Sequence, residues 1–97
     1  MKENTIIVLL RQHKEMLRER YGVVSLGCFG SFARGRETSE SDVDIAVQVI
    51  PEKKNLHNFL ALKRELENLL GRRVDLGIET ALKPAARELI AKEILYV

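Results

Sequence analysis

A single cysteine, Cys28, stands in 97 residues, so no internal disulfide can form. With no signal-peptide pattern at the N-terminus, the expected compartment is a reducing cytoplasm. Cys28 sits in an apolar stretch and reads as a small buried hydrophobe rather than a nucleophile. No apolar run is long enough to span a bilayer. Charge of one sign is also lacking: 16 basic and 14 acidic residues leave a net charge of +2, which makes no electrostatic case for direct nucleic-acid binding. Tryptophan is absent and only 5% of residues are aromatic. The core of a chain this size is therefore adequate but not generous. Repeats, low-complexity tracts and linkers are missing too, and residues 1–97 are expected to form one domain.

Hydrophobic spacing supplies the elements. Residues 5–21 read as a helix with Ile6, Leu9, Leu10 and Leu17 in one stripe and His13 on the same side. Gly22 is placed to stop it. Residues 23–29 form an apolar, β-branched run that reads as a strand. A short helix is expected after Gly30, up to about Gly35. A polar loop, residues 36–41, leads into a second strand that Pro51 ends. Residues 56–70 give the clearest helix, with Phe59, Leu62, Leu66, Leu69 and Leu70 at helical spacing and Gly71 as its cap. A third strand follows over residues 73–78. Pro84 then opens a last helix, where its missing N–H costs nothing, with Ala86, Leu89, Ile90 and Ile94 as its packing side. His57 has no metal-ligand partner at i+4 and reads as surface.

The chemistry is concentrated in three short stretches. Gly30-Ser31 joins a strand to a helix, a place where free backbone N–H groups and the helix dipole favour an anion. Gly30 permits close approach to the backbone, and the Ser31 hydroxyl adds a donor. Taken alone, Gly-Ser is equally an ordinary helix N-cap. After Ser31 and ten intervening residues come Asp42 and Asp44. Strand alternation points both to one side, while Val43, Ile45, Val47 and Val49 point to the other. Like charges on one face repel, and the arrangement makes sense if a hard cation such as Mg²⁺ sits between them. A solvent-exposed strand edge is the competing reading of Asp-x-Asp. Asp75 repeats the pattern between Val74 and Leu76, and if its strand lies beside the first, it joins the pair across the ladder. Three carboxylates beside a phosphate-sized turn suit metal-assisted phosphoryl or nucleotidyl transfer.

Gly30-Ser31, ten residues, then Asp42-x-Asp44 resembles the nucleotidyltransferase superfamily that includes DNA polymerase β. Four fixed residues at that spacing arise by chance in roughly one in a thousand chains this size. The fuller strings, residues 30–35, 41–47 and 69–76, look like the minimal nucleotidyltransferase (MNT) family, as does the tail through Ile90, Ile94 and Tyr96. The likeness covers nearly the whole chain. One departure is Phe32, where many members carry a basic residue; Arg34 and Arg36 are then the basic residues left in that segment. The resemblance implies an α/β (α+β) fold: a polymerase-β-like core, a small mixed sheet with helices packed mainly on one side. It implies ATP as substrate, with its β- and γ-phosphates at Gly30 and Ser31 and Arg34 as a second contact. Two Mg²⁺ ions would be held by Asp42, Asp44 and Asp75, and Asp75 would also take the acceptor's proton. It implies an antitoxin that transfers AMP to a tyrosine of a cognate HEPN-domain toxin and so neutralises it. The alternatives are a binding module that neutralises its partner by complex formation and a small-molecule nucleotidyltransferase. A separate acceptor-cradling domain, which larger relatives carry, is missing from the pattern and argues against the latter.

Overall fold

The computed structural model describes residues 5–30, 42–79 and 84–97. Two helices, α1 (Thr5–Gln12) and α2 (Lys14–Tyr21), precede strand β1 (Val23–Phe29). Strand β2 (Val43–Val49) leads through a 3-10 turn at Pro51–Lys53 to helix α3 (Leu56–Leu70). Strand β3 (Val74–Ile78), helix α4 (Pro84–Glu93) and a two-residue strand β4 (Leu95–Tyr96) complete the order. The sheet runs β3-β2-β1-β4, with β1 antiparallel to β2 and β4 and β2 parallel to β3. This is the expected small mixed sheet.

The first helix is interrupted where one continuous helix is predicted. His13 takes φ −105°, ψ 6°, and its N–H is shared between the carbonyls of Leu9 and Leu10 at 3.2 and 3.3 Å. The imidazole Nδ1 donates to the Leu9 carbonyl at 2.8 Å. A side chain that competes for a backbone acceptor loosens the helix at that point. The apolar stripe continues across the break, so Ile6, Leu10 and Leu17 are all buried.

One face of the sheet carries the core. Val43, Ile45 and Val47 are fully buried, and Leu10, Leu17, Leu62 and Leu66 meet them from α1, α2 and α3. Burying each such side chain is worth about 1.5–3 kcal/mol. Cys28 is buried among them. Gly22 and Gly71 end α2 and α3 in the left-handed conformation, as the spacing predicts. Asn55 caps α3 by accepting from Asn58 N at 2.8 Å. Asn58 in turn donates to the Tyr21 carbonyl at 3.0 Å, and the Tyr21 hydroxyl donates to Glu65 at 3.1 Å, locking α2 to α3. Glu67 accepts from Val74 N at 3.0 Å, which fixes where β3 begins relative to the helix before it.

The short helix expected after Gly30 lies outside the described residues, as do the side chains of Ala86 and Leu89. Strand β4 has no counterpart in the sequence reading. Two residues are too few to show alternation, and β4 exists because Leu95 and Tyr96 pair with Cys28 and Gly27. Among the described residues no helix is long and apolar enough to cross a membrane.

Candidate active site at the strand ends

The end of β1 and the beginnings of β2 and β3 lie side by side. In the register, Phe29 is opposite Asp44 and Asp44 is opposite Asp75. Adjacent strands are about 4.8 Å apart. Asp44 and Asp75 alternate with buried neighbours, Val43 and Ile45 in one strand and Val74 and Leu76 in the other. Both carboxylates therefore leave the sheet on the face away from the core, next to each other. The cross-strand juxtaposition expected of Asp75 is present.

Asp42 lies one residue before β2 and is exposed. Its Oδ1 is 3.3 Å from Nε of Arg73, a residue the sequence reading assigned no role. The signal was available: Arg73 precedes Asp75 by two, as Asp42 precedes Asp44 by two. Once the strands are aligned, Arg73 and Asp42 stand in the next row. Among the described residues no three acidic, histidine or cysteine side chains are gathered into a set that could hold a metal ion. The carboxylates suit a hard divalent cation in kind, two of them are neighbours, and the third is turned to a guanidinium.

Gly30 closes β1 with φ 72°, a left-handed conformation that side chains rarely adopt. A Cβ built there would run into Oδ2 of Asp44. The glycine is thus required twice, once by its backbone and once by the carboxylate beside it. Ser31 and Arg34 lie outside the described residues.

With helices packed mainly on one side the acidic face would be open along its whole length, and it is not. One row further along, Gly27, Ala46 and Gly77 lie across β1, β2 and β3. Ala46 is fully buried although it shares the face of Asp44. A Cβ on Gly27 would stand 2.5 Å from Ile94 Cδ1 and 3.2 Å from Tyr96 Cδ1. The hydroxyl of Tyr96, on one edge strand, donates to Glu79 Oε1 just beyond the other at 2.8 Å. That bond, together with burial and the Glu79 charge, pushes the Tyr96 hydroxyl above its ordinary pKa of 10. A groove of about 300 Å³ opens at the far end of β2 and β3, lined by Val49, Lys53, Leu56, Phe59, Leu62 and Ile78. It shares no residue with the aspartate end.

Residues 10–97 match the family described as nucleotidyltransferase domain. Over 92% of its length the chain is 44% identical to a protein adenylyltransferase, MntA, of Thermococcus cleftensis, covering 89% of that protein. A solved minimal nucleotidyltransferase superposes with a TM-score of 0.77 at 35% identity, over 93% of both chains. The chain belongs to the minimal nucleotidyltransferases. This nucleotidyltransferase shares its fold with a chain of the solved complex between a tri-AMPylated Shewanella oneidensis HEPN toxin and an MNT antitoxin, with a TM-score of 0.68 at 17% identity over 95% of this chain and 71% of that one. The matched span, residues 10–97, includes the strand ends just described, where Arg73 stands against Asp42.

Proposed function

We propose that this nucleotidyltransferase transfers AMP from ATP to a tyrosine of a HEPN-family toxin and neutralises it as an antitoxin. The observation that carries this reading is the Asp44–Asp75 pair on adjacent parallel strands, with Asp44 seated against Gly30. The similarity to a protein adenylyltransferase supports a protein acceptor, and the shared fold with an antitoxin bound to a HEPN toxin is consistent with the partner.

In this reading the backbone at Gly30 and Ser31 receives the β- and γ-phosphates, with Arg34 as a further contact. Asp42, Asp44 and Asp75 would hold Mg²⁺, which when bound would offset phosphate charge and lower the pKa of a hydroxyl. The tyrosine oxygen attacks the α-phosphorus, pyrophosphate leaves, and Asp75 accepts the phenolic proton. Asp44 and Asp75, side by side on the ladder, are two carboxylates of the kind a hard cation takes.

A second reading, neutralisation by complex formation alone, draws on the pairing of Asp42 with Arg73 in place of a gathered carboxylate set. Intact mass of the co-expressed toxin after incubation with the chain, ATP and Mg²⁺ separates the two. One or more AMP additions are expected, and none with Asp42→Asn. A tight complex without any mass gain would leave the binding reading standing.

A further inference from the structure

Two rows of one sheet face bring three carboxylates and a guanidinium together, Asp44 beside Asp75 and Asp42 beside Arg73. Its Nε lies 3.3 Å from Asp42 Oδ1, with the arginine side chain 82% exposed and the aspartate side chain 48%. The main chain beneath it is held, because the Arg73 carbonyl accepts from Val43 N at 2.9 Å. Alternation from Asp75 puts Arg73 on the acidic face, so the Asp42–Arg73 row lies directly beyond the Asp44–Asp75 row. A single contact between two solvated groups is weak and readily exchanged.

We propose that Arg73 is the exchangeable counter-ion of the aspartate site, and thereby a triphosphate-binding residue; this rests on the site reading above. In the nucleotide-free chain the guanidinium pairs with Asp42. A divalent cation that arrives with a nucleoside triphosphate takes over the Asp42 carboxylate, and the released guanidinium pairs with the phosphates. Cation and polyanion come together, so neither Asp42 nor Arg73 is left without an opposite charge at any stage. Guanidinium suits the second role because it is always charged and its planar fork matches phosphate oxygens.

The exchange gives Arg73→Gln opposite effects on two equilibria, which a merely structural surface pair would not produce. Bare Mn²⁺, followed by the electron-paramagnetic signal of the free ion, should bind about two- to fivefold tighter once its competitor is gone. ATP in saturating Mg²⁺, followed by calorimetry, should bind about tenfold weaker for loss of a charge-assisted contact. Arg73→Lys should recover most of the ATP affinity. Arg72→Gln, with the same charge change on the neighbouring residue, should move neither value in this way. Unchanged or weaker Mn²⁺ binding in Arg73→Gln overturns the exchange, and so does unchanged ATP affinity. Asp42→Asn separates this from the wider reading. If that variant loses Mn²⁺ while Arg73→Gln matches wild type, the aspartate site stands and the exchange falls. If Asp42→Asn binds Mn²⁺ normally, the site assignment itself fails and takes the exchange with it.

Discussion

Ile45 and Ala46 are consecutive residues of β2, point to opposite faces, and are both fully buried. Ile45 is buried by the helices, in a core of Leu, Ile and Val side chains that fill space from both sides. Ala46 is buried in a row with two glycines, where the residues are small and the roof comes close. The first face is built for volume. The second is built for approach: small residues admit Ile94 and Tyr96, and one row away Gly30 admits the Asp44 carboxylate. Stability and chemistry are thus divided between the two sides of one sheet.

Truncation on the core side should have the largest effect on stability. Ile45→Ala removes a fully buried side chain and should cost about 2–5 kcal/mol in denaturant titration, from lost transfer energy plus the cavity left behind. Ala46→Leu, one residue away, should cost about 1–3 kcal/mol for the opposite reason, overpacking. A cost within about 0.5 kcal/mol, as for a surface site, would break the comparison by showing that the Ala46 row yields freely.

Tyr96→Phe should have the smallest effect, about 0.5 kcal/mol, because the lost bond to Glu79 is half in solvent. Its pH dependence is more telling than its size. The Tyr96 hydroxyl is raised above 10 first by the Glu79 hydrogen bond, and Tyr21 is raised first by burial and then by Glu65. A raised folded-state value favours the protonated form in the folded chain. The associated stability is fully present below the unfolded value and is lost as pH climbs through the folded ones. Urea midpoints measured between about pH 9 and about pH 11 should therefore fall, and fall less steeply in Tyr96→Phe. An identical slope would remove the Tyr96–Glu79 bond from the account.

The core face was legible in the sequence because period-2 and helical spacing report burial directly: Val43, Ile45 and Val47, and Leu62 and Leu66, were marked by position alone. The bounds of β1 and α3 agree for the same reason, helped by glycines at their ends. The pattern makes Asp75 a neighbour of Asp44 only if their strands pair, and the register meets that condition. The opposite face was less legible. Alternation says that Ala46 turns away from the core, but not that something else covers it. Over the neighbouring Gly27 the cover is Ile94 and Tyr96, which carry no period, the tyrosine being bonded across the sheet to Glu79. Arg73 was missed because its place beside Asp42 is a property of two strands taken together. The break at His13 was hidden because the apolar stripe runs straight through it.

Gly30 bears no functional group, yet a saturation scan scored on nucleotidyl transfer should rank it with the aspartates. Any side chain there must twist the strand end and push against Asp44 at once. In a map of mutational tolerance such a position looks catalytic, although what it contributes is vacancy: the volume of one methyl group, kept clear for a neighbour's charge.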